Sequence, residues 1–126
     1  MEGPAMREKN LLVVDEEPGF GELVREIAEE AGYRVSVTQS ASAFKRAYET
    51  VDPNVVLVDI VMPEIDGIEV IRWLADRRSK AKLIVVSGYN PRYVEMAEDL
   101  GKLHGLVEVI SMSKPFRVAE LRAVLA

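Results

Sequence analysis

Six side chains able to bind an ion or take part in group transfer stand at the ends of apolar runs in this 126-residue sequence. The run NLLVV stops at Asp15, Glu16 and Glu17, NVVLV stops at Asp59, and KLIVV stops at Ser87. Lys114, followed by Pro115, comes after a further run, LVEVI. Short buried runs of this kind read as strands. In a parallel sheet their carboxyl ends are neighbours in space although far apart in sequence. The ends would then bring together several carboxylates, one ammonium and one hydroxyl. Carboxylates at close range repel and raise one another's pKa. A divalent cation with oxygen ligands relieves that repulsion. Magnesium suits the task, because it takes one or two carboxylates, keeps several waters and leaves room for phosphate oxygens. An aspartate such as Asp59 is also a legitimate nucleophile that forms an aspartyl-phosphate. Phosphoryl transfer asks a protein mainly for positioning and charge neutralisation, and Lys114 would add positive charge for an incoming phosphoryl group. Taken singly, each residue has a plainer reading. Asp15, Glu16 and Glu17 suit a solvated helix N-terminus, Asp59 a polar strand end, and Lys114 a surface lysine. Their joint placement after successive strands points to phosphoryl chemistry.

The elements that must position these residues alternate along the chain. Strands are expected over Asn10 to Val14, Tyr33 to Thr38, Asn54 to Val58, Lys82 to Val86 and Leu106 to Ile110. Between them the apolar residues recur at helical spacing. Phe20, Leu23, Val24, Ile27, Ala28 and Ala31 mark a helix over Pro18 to Ala31, which Gly32 is placed to end. Phe44, Ala47, Tyr48 and Val51 mark a second helix over Ala41 to Val51. Further helices are expected over Asp66 to Arg77, Pro91 to Leu103 and Phe116 to Leu125. Strands alternating with helices predict an α/β fold, a parallel sheet covered on both faces. Right-handed crossovers leave few topologies. The expected one is a (βα)5 flavodoxin-like, doubly wound, five-stranded sheet of order 2-1-3-4-5, in a single domain.

Composition narrows the function classes. Hydrophobic residues make up 48% and charged residues 29%, ordinary for a soluble globular protein. There is no cysteine, which excludes disulfides and cysteine-ligated zinc. The net charge is −5 and no Lys/Arg-rich run occurs, so direct nucleic-acid binding is not expected. No apolar run is long enough for membrane insertion. The segment 1–9 has no apolar core and reads as an N-terminal extension or tag-like segment rather than a signal peptide, leaving 10–126 as the functional domain. A cytoplasmic location is the expectation.

The blocks LLVVDEEP, DIVMPEIDG, VVSGY and SKPF resemble, in order and spacing, the successive signatures of CheY-like response-regulator receiver domains. The resemblance spans nearly the whole chain. It implies that Asp59 is the phosphoacceptor. It implies that Asp15 and Glu16 are the acidic pair which, with Asp59 and the backbone carbonyl of Val61, holds Mg2+. Ser87 and Lys114 would contact the phosphoryl group, and the Lys114–Pro115 bond would be cis. Pro63 and Gly67 belong to the same pattern as conformational supports. Pro63 restricts how the chain leaves the strand, and Gly67 allows a turn or close backbone approach. The implied donor is a histidine kinase or histidine phosphotransfer protein. The implied output is a protein partner, met through the region 89–111. Such a domain assists its own phosphorylation and dephosphorylation and is not an enzyme that turns over a separate substrate.

The sequence departs from the family pattern in three places. Glu16 stands where Asp is usual, one methylene longer. Ser111 stands three residues before Lys114, where Tyr or Phe is usual, leaving Tyr89 or Tyr93 as substitutes for the missing aromatic. The stretch between Ser87 and Lys114 is longer than usual around Leu100 to Leu106. An alternative reading follows, a pseudo-receiver that serves as an interaction module and no longer switches by phosphorylation. An aspartyl phosphohydrolase is disfavoured, because Asp59-Ile60-Val61 lacks a second acid two positions on. Neither a P-loop nor GxGxxG follows the first strand, which disfavours nucleotide binding. His104 reads as a loop residue and Trp73 as a packing residue.

Overall fold

The computed structural model describes residues 9–59, 67–88, 95, 99 and 108–126. Its strands are β1 (Asn10–Val14), β2 (Arg34–Thr38), β3 (Val55–Asp59), β4 (Lys82–Ser87) and β5 (Val109–Ser113). Its helices, among the described residues, are α1 (Pro18–Glu30), α2 (Ala41–Val51), α3 (Gly67–Asp76) and α4 (Val118–Leu125). The strands form one sheet of order β2-β1-β3-β4-β5, as the sequence predicts, and every neighbouring pair is parallel. The helix expected over Pro91 to Leu103 falls almost wholly outside the described residues.

The continuous apolar runs of the central strands are explained by burial on both faces. Successive side chains of a strand point to opposite faces, and the core divides accordingly. Leu12 and Val14 of β1, Val56 and Val58 of β3, and Leu83 and Val85 of β4 pack with Phe44 of α2 and Val70, Ile71 and Leu74 of α3. Their neighbours Leu11, Val13, Val55, Leu57, Ile84 and Val86 pack with Val24, Ile27 and Ala28 of α1 and Leu121 and Leu125 of α4. On the first face Phe44, Tyr48 and Trp73 form a ring cluster, with the Tyr48 and Trp73 centroids 5.2 Å apart and nearly perpendicular. The Arg77 guanidinium lies 4.1 Å from the Trp73 ring centre. Trp73 is therefore the packing residue the sequence suggests.

Local chemistry sets the element ends. Pro18 opens α1, where its missing N–H leaves nothing unsatisfied. Gly32 follows α1 with φ of 92°, a conformation that favours glycine. Gly21 is needed for another reason: a Cβ there would lie 2.5 Å from Cγ1 of Val37 in β2. The last turn of α4 is tied down twice. Lys82 Nζ donates to the Val124 carbonyl at 2.6 Å, and the Tyr33 hydroxyl donates to the Leu125 carbonyl at 2.9 Å.

Two expectations need correction. Leu23 does not face the core and is 44% exposed. The buried stripe of α1 runs through Gly21, Val24, Ile27 and Ala28, and Leu23 lies one residue, about 100°, away from its centre at Val24. The fifth strand is Val109–Ser113 instead of Leu106 to Ile110. The search for a continuous apolar run suits a central strand, but β5 lies at the edge of the sheet and pairs only with β4. Serines at 111 and 113 are tolerated there on exposed positions, while Met112 between them is buried.

Phe44 is fully buried, so Phe44→Ala should cost about 3–5 kcal/mol and Phe44→Leu distinctly less. Urea unfolding followed by the emission of Trp73, the sole tryptophan, checks this. A loss for the alanine variant below about 1 kcal/mol would contradict the packing described.

Candidate functional site

The strand registers bring the site together. Val14 of β1 is level with Val58 of β3, so one step further Asp15 comes level with Asp59. Asp59 is level with Val86, and Ser87 is level with Ser113. The shifted fifth strand thus ends directly before Lys114. The ladder continues for one more bond, from the Lys114 N–H to the Ser87 carbonyl at 2.9 Å. The Lys114–Pro115 peptide is cis.

Two carboxylates converge on one ammonium at this edge. Lys114 Nζ donates to Asp15 Oδ2 at 3.0 Å and to Asp59 Oδ2 at 3.2 Å. Asp15 is 0% exposed and Asp59 4%. The other oxygen of Asp15, Oδ1, accepts the Glu17 N–H at 2.8 Å, and the Asp15 N–H donates to the Thr38 carbonyl at 3.0 Å. Asp15 is thus fixed from both sides, by backbone and by ammonium. Ser87 is 4% exposed at the end of β4. Glu16 is half-buried, while the exposed Glu17 brings Oε1 to 3.8 Å from Lys114 Nζ. Gly67 opens α3 and is buried. Val61 and Pro63 lie outside the described residues, as do Tyr89, Tyr93, His104 and most of the region 89–111.

Burial alone would push the Lys114 ammonium down in pKa. Its hydrogen bonds to Asp15 and Asp59, and their charges, outweigh that effect and hold it above the ordinary lysine value. The donors around it are hard oxygens. Among the described residues no three acidic side chains gather closely enough to hold a metal ion by themselves. Magnesium does not require three, since one or two carboxylates with water and phosphate oxygens complete its octahedron. Asp15 and Asp59, buried side by side at adjacent strand ends, fit that limited role.

The sequence did not reveal one neighbour of the site. Lys114 Nζ sits 4.0 Å from the ring centre of Phe20, in the first turn of α1. Phe20 in turn meets Phe116 edge-on, with centroids 5.7 Å apart and planes at 82°. By its spacing Phe20 reads as an ordinary core position of α1, and no sequence signal marks it as a partner of a lysine far along the chain.

The family model for the response regulator receiver domain matches residues 11–126. The chain belongs to the response regulator receiver domain family. Receiver relatives include the response regulator receiver protein CpdR of Brucella abortus, 29% identical over 115 residues covering 90% of each chain. Another is the alkaline phosphatase synthesis transcriptional regulatory protein PhoP of Bacillus subtilis, 29% identical over 116 residues. That match covers 91% of this chain and 46% of PhoP, and the chain likewise spans under half the length of other curated relatives it matches. Among solved structures, a response regulator from Colwellia psychrerythraea superposes with a TM-score of 0.78 at 32% identity, covering 94% of both chains. No helix among the described residues is long and apolar enough to cross a membrane.

The buried charges of this receiver domain predict its response to losing the lysine. Lys114→Met strands two buried carboxylates and should cost about 3–5 kcal/mol at neutral pH. Adding Asp59→Asn should recover part of the loss. Urea titration of the three proteins checks it, and a loss below about 1 kcal/mol, the range of an exposed pair, would refute it. The pH dependence follows from the raised pKa. The contribution of Lys114 is complete below its unfolded value, near 10.5, and is lost as pH rises through the higher folded value. The Lys114→Met variant should lack this part of the alkaline decline in urea midpoint.

Proposed function

We propose that this receiver domain is a phosphoacceptor of a two-component phosphorelay, phosphorylated on Asp59. The observation that carries the reading is the Lys114 ammonium bonded between the two buried carboxylates of Asp15 and Asp59. In this reading Asp15, Glu16, Asp59 and the Val61 carbonyl hold Mg2+, which when bound neutralises charge on the transferring phosphoryl group. A carboxylate oxygen of Asp59 attacks phosphorus of a phosphohistidine on a histidine kinase or histidine phosphotransfer protein. The N–P bond breaks, the O–P bond forms, and the freed imidazole takes up a proton. Lys114 moves its hydrogen bond from the Asp59 carboxylate to a phosphoryl oxygen, and the Ser87 hydroxyl donates to another. Catalysis here is positioning and charge neutralisation. The domain assists its own phosphorylation and hydrolysis, and its output is contact with a protein partner through the region 89–111. The reading places it in the cytoplasm, with 10–126 as the receiver unit.

Glu16 and Ser111 support the second reading, a pseudo-receiver. Glu16 adds a methylene at a site where magnesium demands near-ideal octahedral geometry. Ser111 leaves an exposed hydroxymethyl on β5 where the family usually has an aromatic. Retention of Asp59, Ser87 and Lys114 favours the phosphoacceptor.

Incubation with acetyl phosphate and Mg2+ should add one phosphoryl group by intact mass, and Asp59→Asn should add none. No gain in the wild-type chain, with beryllofluoride and Mg2+ also leaving its spectrum unchanged, would favour the pseudo-receiver. Glu16→Asp should bind Mg2+ at least as tightly as the wild type. A clearly weaker titration would show that the longer arm is matched to the site.

A further inference from the structure

We propose that Phe20 is a positioning residue for the phosphoryl chemistry, holding the Lys114 ammonium against the carboxylate pair through its ring face. The proposal rests on the phosphoacceptor reading and concerns the same site. A lysine is a point charge on a four-carbon stem with free rotation about every bond. Such a group needs something besides its hydrogen-bond partners to define where it sits. Two of its contacts are the Asp15 and Asp59 oxygens, and it also stands over the ring of Phe20, 4.0 Å from the ring centre. A cation over an aromatic face is attracted by the ring quadrupole, more strongly where water is excluded. The Lys114 side chain is only 21% exposed.

The ring is itself held in place. Phe116, two residues beyond Lys114, meets Phe20 edge-on at 82°, the geometry that places a ring edge against a ring face or flank. Pro18 fixes the start of α1 two residues before Phe20. Lys114 therefore rests on a surface built from the first turn of α1 and the connection into α4. This surface differs from the carboxylates in one respect that matters for function. Phosphorylation of Asp59 changes the charge and the shape of a hydrogen-bond partner, whereas the ring face is unchanged. Phe20 keeps the ammonium near the site while its bond to Asp59 is exchanged for one to a phosphoryl oxygen.

The test uses the full chain, acetyl phosphate with Mg2+, and the rate of Asp59 phosphorylation by intact mass. Phe20→Leu keeps an apolar side chain and removes the ring face, and should slow phosphorylation about two- to five-fold. Phe20→Tyr keeps the face and should restore the rate. In a Lys114→Met background Phe20→Leu should have no further effect, because its partner is gone. A second readout needs no phosphodonor: the Lys114 Hε protons should show an upfield ring-current shift in the wild type and in Phe20→Tyr, lost in Phe20→Leu. A wild-type rate in Phe20→Leu, a Phe20→Tyr variant as slow as Phe20→Leu, or an undiminished effect without Lys114 would each overturn the proposal. A wild-type chain that takes up no phosphoryl group would overturn the phosphoacceptor reading and this role with it. The ring-current shift separates that result from failure of the aromatic contact itself.

Discussion

Two carboxylates buried at the end of a parallel sheet, sharing a single ammonium, set the terms for the rest of this molecule. Asp15 and Asp59 are almost fully removed from water, and each finds Lys114 Nζ within 3.2 Å. Without that cation the burial would strand charge in a poor solvent for it. With it, the trio still carries one excess negative charge. In the proposed reading that excess charge is what a further cation would neutralise, with Asp59 as the nucleophile.

The backbone supplies the precision. Parallel pairing fixes the height of each strand end relative to its neighbours, and a slip of one residue would turn every side chain to the opposite face. The apolar runs of β1, β3 and β4, buried on both sides, lock the register that levels Asp15 with Asp59 and sets Ser87 one residue beyond them. The edge strand contributes by its length. Because β5 runs to Ser113 and hands its ladder to the Lys114 N–H, the lysine starts from a defined point on the sheet. Its side chain then crosses from the end of β5 past β4 to the carboxylates at the ends of β3 and β1, with a phenylalanine ring beside its Nζ.

Much of this was legible in the sequence. Continuous apolar runs separated by helical periodicity specify a parallel sheet with little ambiguity, and the residues after the runs mark the edge of the candidate site. Asp15, Asp59 and Ser87 were found that way, with Lys114 a few residues beyond its expected run, and the structure sets all four at one edge of the sheet. Physical reasons account for what was missed. Leu23 obeys an apolar pattern that does not distinguish the centre of a stripe from its margin. The bounds of β5 escaped because a strand at a sheet edge needs burial on only some positions, so Ser111 and Ser113 look like loop residues. The pairing of Phe20 with Lys114 joins positions far apart in sequence through a contact that no local spacing encodes. Val61 and Pro63 fall outside the described residues, and their assigned roles stay with the family pattern.

The sheet also acts as a partition. Leu12 and Leu11, adjacent in sequence, belong to different cores, one lined by α2 and α3 and the other by α1 and α4. Side chains on opposite faces pack against different helices, so substitutions well separated across the two compartments should have nearly additive effects on stability. A single rim of strand ends thus stands over two hydrophobic compartments, each packed by its own pair of helices.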